Sequence, residues 1–425
     1  MPNLKTNLWR HTAENHKAFT SLNEDKSTNL LIVGGGYTGC SAALEAVTCG
    51  EKVVLIEAET IGYGGSGRNV GLVNAGLWTP PEEILKKIGH DKGKKLITAL
   101  AKAPNLVFDI IETEGISCEA VRNGTLHLAH APSGMKELED RYRQGNLVGA
   151  PLNILDRDET IERTGSKAFF GSLFDPRAGT IQPLAYCSGL AQAAREKGAQ
   201  VFEKSRLESL RYDGLHWFAS VNGCVVQAEC ILLATNAYPS AIFGAPNQEF
   251  VPVHYSQFAT IPLDLELNNH ILPGKEGCWD TDMVMTSLRV DKSGRLILGG
   301  VGNIEGIGCA IHKKWALRKI EKYYPELTGV PIESSWQGLI AMTSDHLPKV
   351  LSFGPKALSI FGYSGRGIGP GTVFGKSAAR ALLFDEASSM PIDIKNSYRE
   401  GLKRVREIYF EFGSILTHAL GSIRR

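Results

Sequence analysis

Leu30-Leu31-Ile32-Val33-Gly34-Gly35-Gly36-Tyr37-Thr38-Gly39-Cys40 is the stretch on which the fold turns. Four consecutive apolar residues read as a short buried strand and the glycines as a tight turn. Cys40 to Cys49, with Ala42, Ala43, Leu44, Ala46 and Val47, reads as a helix. Val53-Val54-Leu55-Ile56 is then a second strand ending at Glu57, which completes a βαβ unit. Gly34 permits the turn, Gly36 lets the backbone approach a pyrophosphate, and Gly39 lets helix and strand touch. The helix start at Tyr37 and Thr38 offers free N–H groups to phosphate charge. Glu57, beside Ala58, is placed to accept hydrogen bonds from ribose hydroxyls. A glycine motif alone is weak. With a strand before it, a helix after it and an acid ending the next strand, it predicts a bound dinucleotide.

NAD and FAD share the half that this fingerprint reads, so later segments must separate them. Gly64-Gly65-Ser66-Gly67-Arg68-Asn69, with Gly71 just beyond, follows the second strand at once. Small residues, a hydroxyl and a guanidinium suit a loop lying along a pyrophosphate and flavin ring. Ile231-Leu232-Leu233-Ala234-Thr235-Asn236-Ala237-Tyr238 reads as a strand returning to the nucleotide sheet. Leu358 to Phe361 leads into Gly362-Tyr363-Ser364-Gly365-Arg366-Gly367-Ile368-Gly369-Pro370-Gly371-Thr372 and a helix to Phe384, a second strand-to-helix glycine turn with no nucleotide-type acid after it.

These three motifs, in this order, resemble the FAD-dependent amino-acid and amine oxidase family that includes D-amino-acid, glycine, sarcosine and γ-glutamylputrescine oxidases. Members of the γ-glutamylputrescine type look closest, through GSGRNVG at 65–71, DPRAGTIQP at 175–183, ATNAY at 234–238 and RLILGG at 295–300. Iminodiacetate oxidase is another similar member. The resemblance implies an α/β Rossmann-like FAD-binding domain, discontinuous over 28–80, 150–243 and 336–425. It also implies a substrate domain over 81–149 and 244–335, an antiparallel sheet with flanking helices. FAD contacts are expected at Gly34, Gly36, Tyr37, Thr38, Gly39, Glu57, Ala58, Ser66, Gly67, Arg68, Asn69, Gly71, Leu207, Ala234, Thr235, Gly338, Gly365, Arg366, Gly367, Ile368, Gly369 and Thr372. The FAD is expected to be non-covalent, since Trp336 to Thr343, where some sarcosine oxidases carry the tethering cysteine, has none.

The activity so implied is oxidation of a small amine or N-substituted amino acid. Hydride passes from the carbon next to nitrogen to flavin N5, the imine hydrolyses to an aldehyde or keto acid, and oxygen is reduced to peroxide. A flavin-bearing subunit or a dehydrogenase serving another electron acceptor is the alternative. Backbone N–H groups at Gly367, Ile368 and Gly369 would stabilise negative charge on the reduced flavin. Arg289, late in a predicted strand, is the expected substrate anchor, because a guanidinium grips a carboxylate through two parallel hydrogen bonds. His254 and Tyr255 are adjacent on another predicted strand, so at most one can line the pocket. Should Arg289 prove structural, the anchor is to be sought at Tyr255, His254 or Arg366, and His346 is a weaker choice.

Composition excludes other classes. Against 46 Lys plus Arg stand 45 Asp plus Glu, leaving no electrostatic reason for a nucleic-acid partner. No apolar stretch reaches the ~20 residues of a membrane span, and MPNLKTNLWRHTAENHK lacks the apolar core of a secretory signal. The eight cysteines form no CxxC pair or metal-ligand spacing, so no metal is expected and they read as reduced, in a cytoplasmic protein. Tyr398 to Leu420 reads as an amphipathic helix covering the flavin domain, rather than a membrane-surface helix.

Overall fold

The computed structural model describes residues 7–13 and 18–420. Parts of the amino-terminal stretch read against secretion (1–6, 14–17) and the last five residues of the expected FAD-binding domain (421–425) lie outside the described residues.

The strand Lys26–Val33 lies inside an eight-stranded sheet. Its order is Lys349–Gly354, Ala357–Phe361, Cys224–Leu233, Lys26–Val33, Val53–Ile56, Gln200–Phe202. The last five strands of that order run parallel, while Lys349–Gly354 pairs antiparallel with its neighbour. Leu30, Leu31 and Ile32 are fully buried because both faces of the sheet are covered, which is why the strand reads as an unbroken apolar run. Leu30 and Ile32 pack in a core with the fingerprint helix Tyr37–Thr48 and with Pro183–Glu196 and Ile368–Leu383. Leu31 and Val33 face the other way, toward the antiparallel ribbon Leu207–Tyr212 and Trp217–Val221.

A second eight-stranded sheet runs Ile332–Met342, Val251–Thr260, Leu296–Val301, Thr286–Val290, Gly277–Asp280, Thr125–Leu128, Ser172–Asp175, Asn153–Leu155. All its pairs are antiparallel except Gly277–Asp280 with Thr125–Leu128. The mixed architecture is the expected class, a Rossmann-like parallel sheet joined to an antiparallel one.

Several segments sit elsewhere than the sequence reading put them. Asn153–Leu155 and Ser172–Asp175, read with the nucleotide unit, pair in the second sheet, as does all of Ile332–Met342. The helices Pro81–Ile88, His90–Ala101 and Ala103–Thr113, read as packing on the substrate unit, bury Ile84, Leu96, Leu100, Val107 and Ile111 in the core around the fingerprint helix. Apolar spacing reveals which face of a helix is buried but not against what. The terminal helix Lys403–Leu420 packs on Val251–Thr260 and Cys309–Tyr323 rather than over the flavin side. Among the described residues no helix is long and apolar enough to cross a membrane, and no cluster of side chains could hold a metal ion.

Candidate active site

The fingerprint helix and the helix Ile368–Leu383 pack side by side because glycine keeps their backbones close. A Cβ on Gly375 would collide with the Thr38 carbonyl, and one on Gly371 would lie 3.2 Å from the Tyr37 Cβ. Ser41 Oγ donates to the Thr372 carbonyl at 2.8 Å. Both helices start at a glycine, Gly36 and Gly367, that offers no side-chain cap. Both helix starts therefore open onto one cavity of about 690 Å³, with the Tyr37 N–H donating to Ser66 Oγ at 3.1 Å.

Its walls include most residues singled out by sequence: Gly34, Gly36, Tyr37, Thr38, Glu57, Ala58, Ser66, Arg68, Asn69, Leu207, Ala234, Thr235, Gly338, Gly365, Arg366, Gly367, Ile368, Gly369 and Tyr255. Gly34 has φ +113, and its backbone packs on Ala234. The Glu57 carboxylate accepts from the Gly35 N–H at 2.7 Å and the Glu59 N–H at 2.9 Å, and burial raises its pKa. Arg68 is 2% exposed. It donates from Nε to the Tyr63 carbonyl (2.7 Å) and from Nη1 to the Gln337 carbonyl (3.2 Å), while Nη2 is buried without a partner. An orphaned buried donor costs about 1–3 kcal/mol, which an anionic ligand would recover. Orphan guanidinium, glycine cradle and paired helix starts together fit a dinucleotide.

The Asn69 side chain is consumed within its own loop. It donates to the Gly65 carbonyl (2.9 Å), the Ser66 carbonyl (3.2 Å) and the Tyr37 hydroxyl (3.0 Å), and accepts from the Gly71 N–H (2.8 Å). Its direct work is to shape the loop.

Six of the named residues do not line the cavity. Gly39 and Gly67 are needed for packing, since a Cβ would strike the Gly34 and Gly62 carbonyls respectively. Gly71, at φ +88, lies against the Ile181 carbonyl and the Arg289 guanidinium. Thr372 faces the Tyr186 hydroxyl at 3.1 Å inside the helix layer. His254 points to the other side of its strand, into a pocket beneath the terminal helix, as alternation requires once Tyr255 faces the cavity.

Arg289 is the largest departure. It is 1% exposed, its Nη1 donates to the Ile181 and Val70 carbonyls, and the Trp9 ring lies 5.5 Å from it. It shares a strand face with Ser287, which does line the cavity. Two residues further along, that face is covered by the cluster of Trp9, Ile297 and Trp336. Alternation fixes a face; it does not tell how far a cavity extends.

The end of the cavity away from Glu57 combines Arg366, Tyr255 and His346, named from the sequence, with Trp78, Arg141, Gln257 and Trp279, which the sequence reading missed. Arg366 lies over the rings of Trp78 (4.9 Å) and Trp279 (5.2 Å), donates from Nη1 to the Ala75 carbonyl (2.8 Å), and keeps a buried Nε without a partner. It has no ion pair among the described residues. Burial, with Arg141 next in importance, pushes its pKa down to about 9. Tyr255 donates to Ser287 Oγ at 3.0 Å, and burial raises the phenol pKa, so it stays protonated. Gln257, 1% exposed, has an Oε1 without a partner beside Ser287 and Gly299. Its place two residues after Tyr255 on one strand is the signal that would have found it. Trp78, Arg141 and Trp279 left no such signal. His346 lines the cavity with its Nδ1 3.1 Å from Met342 Sδ, and burial lowers its pKa, leaving it neutral.

The family model for FAD dependent oxidoreductases (DAO) matches residues 29–381. The chain belongs to that family. FAD is thus its cofactor, and it is an oxidoreductase of the amine and amino-acid oxidase type. It is 29% identical to the probable oxidoreductase OrdL of Haemophilus influenzae over 399 residues, covering 91% of this chain and 88% of that one. It is 27% identical to γ-glutamylputrescine oxidoreductase of Escherichia coli over 388 residues, covering 89% and 90%. The glycine oxidase structure from Geobacillus kaustophilus superposes with a TM-score of 0.70 at 19% identity, over 85% of this chain and 95% of that one.

Proposed function

We propose that the protein oxidises a small amine bearing a carboxylate, with oxygen as final acceptor and hydrogen peroxide as product. The carboxylate is anchored by Arg366. Substrates of this class include N-substituted glycines such as sarcosine and iminodiacetate, and amines of the γ-glutamylputrescine kind, which the relatives support. The observation that carries this reading is the Arg366 guanidinium: it faces the cavity between two indole rings, with a buried donor unpaired and no ion pair among the described residues. An anion of matching geometry satisfies it through two parallel hydrogen bonds.

When bound, FAD takes two electrons and a proton as hydride from the carbon next to nitrogen. Gly36, Tyr37 and Thr38 would hold its phosphates, Glu57 its ribose, and Arg68 with Gly367 to Gly369 its flavin end. The chain's own contribution to the chemistry is electrostatic. A protonated amine cannot give up hydride readily, and free aliphatic amines have pKa ~10. The acids lining the cavity are Glu57 at the ribose end and Glu83 at the rim, while Arg366 and Arg141 face the substrate end. Nearby positive charge disfavours ammonium, so the bound amine is held neutral. Gln257 Oε1 accepts an N–H from that neutral amine, and Tyr255 with Ser287 closes the polar wall beside it.

No cysteine lines the cavity, and the FAD is proposed to be non-covalent. Acid precipitation should release all the flavin into the supernatant; flavin in the pellet would contradict this. The substrate reading is tested by anaerobic bleaching. Adding an N-substituted glycine should reduce the flavin, adding its decarboxylated analogue should do so far more slowly, and admitting oxygen should yield one peroxide per flavin. Failure of every amine to bleach it would support the non-catalytic alternative.

A further inference from the structure

The terminal helix Lys403–Leu420 turns its polar side to the protein. Ser414 and His418 are buried, with His418 Nδ1 2.7 Å from His312 Nδ1 and its ring stacked 3.9 Å from Trp315. The opposite side carries Val405, Ile408, Tyr409, Phe412, Leu416 and Leu420, each between 47% and 71% exposed. Those side chains leave roughly 700 Å² of contiguous apolar surface, more than the ~300–600 Å² of the largest patch on a typical monomer. Ile307, 87% exposed, extends the patch, because the adjoining Gly308 packs on Ile415.

The spacing identifies the occupant. Val405, Ile408, Tyr409, Phe412, Leu416 and Leu420 fall at intervals of three, one, three, four and four, so the exposed apolar residues form one continuous stripe along the helix. That pattern suits another helix laid alongside. Two such faces would bury roughly 1,400 Å², within the ~1,200–2,000 Å² of a stable interface. A lipid surface is a poorer match: interfacial helices carry Lys and Arg all along the polar side, whereas here Lys403, Arg404 and Arg406 are confined to the first turn and Glu407 and Glu411 follow them. We propose that this face binds the same face of a second copy, pairing the two terminal helices across a twofold axis. The interface would back onto the active-site cavity, since Val301 lines both that cavity and the pocket beneath the helix.

Sedimentation equilibrium of the full-length, FAD-loaded protein tests this. A dimer is expected at about 10 µM, and the double variant Ile408→Glu, Phe412→Glu should raise the dissociation constant at least about 100-fold. Leu265→Glu, at a site 76% exposed on another element, should leave the dimer intact. Should the double variant fail to keep its flavin and circular dichroism, Leu416→Gln decides in its place. A monomer at about 100 µM overturns the proposal. So does a dimer indifferent to the helix variants, or binding to phosphatidylglycerol vesicles that the helix variants abolish.

Discussion

Arg366 and Arg289 are near twins that the fold uses differently. Each guanidinium lies over tryptophan, each donates to backbone carbonyl oxygen, and each keeps a buried Nε without a partner. Burial is the leading cause that lowers the pKa of both. They part in what lies in front of them. Arg289 has Glu119 and Asp291 as opposing charges and is closed in by Trp9 and the Gly71 backbone. Arg366 has Arg141 and Arg177 as like charges against Asp175 as the opposing one, and it opens onto the cavity. A buried cation balanced by distant acids stabilises a wall; one beside like charge and open space recruits an anion.

The largest effect that could break this contrast is loss of the recruiting arginine. Arg366→Ala should lower kcat/KM for a carboxylated amine by the equivalent of about 2–5 kcal/mol, roughly 30- to 5,000-fold, because the substrate anion is left unpaired in a partly dry site. An uncharged amine should lose much less. Equal loss on both would show that Arg366 merely supports the wall. Arg289→Ala should do the reverse. It leaves the Ile181 and Val70 carbonyls unpaired, so unfolding stability should fall by about 1–3 kcal/mol while the ratio between the two amines stays unchanged. A selective loss on the carboxylated amine would restore Arg289 as the anchor.

Arg366→Lys sharpens the comparison through pH. The ammonium has one charge but no fork, so partial activity is expected near neutrality. Desolvation that pushes Arg366 down acts on a lysine from a lower start of about 10.4. A base with a depressed pKa is charged only below it. Activity of the lysine variant on the carboxylated amine should therefore fall as pH rises from about 7 to about 10, relative to the uncharged amine measured alongside. Parallel profiles for the two amines would mean that the lysine does not touch the carboxylate.

The same contrast explains what could be read from the chain beforehand. The nucleotide end is local: strand, turn, helix and acid lie between Leu30 and Glu57, and backbone N–H groups do the binding, so glycine spacing carries the signal. The substrate end draws Trp78, Arg141, Tyr255, Gln257, Trp279 and Arg366 from distant segments, and its chemistry rests in side chains whose neighbours no local period encodes. Strand alternation separated Tyr255 from His254 correctly. It could not foresee that Trp9, contributed by the short helix Leu8–Thr12, would cover the far end of the strand carrying Arg289. Arg366 was visible throughout, but its glycine surroundings placed it with the flavin loop first and made it an anchor only behind Arg289.

The smallest effect belongs to Tyr255, which faces the cavity from the strand Val251–Thr260. Its hydroxyl donates to Ser287 Oγ, and burial keeps the phenol protonated well beyond neutral pH. If it took the amine proton it would have to be ionised, and its raised pKa places that form above the working range. Tyr255→Phe should then remove one neutral hydrogen bond, worth about 0.5–1.5 kcal/mol, and lower kcat/KM about two- to tenfold on carboxylated and uncharged amines alike. The pH profile should keep its shape, because the titrating group that governs it is the substrate amine. A change in the alkaline limb on removing this hydroxyl would mean that Tyr255 exchanges a proton with the substrate, and the neutral-amine account built on Arg366 and Arg141 would have to give way to one with a base in the wall.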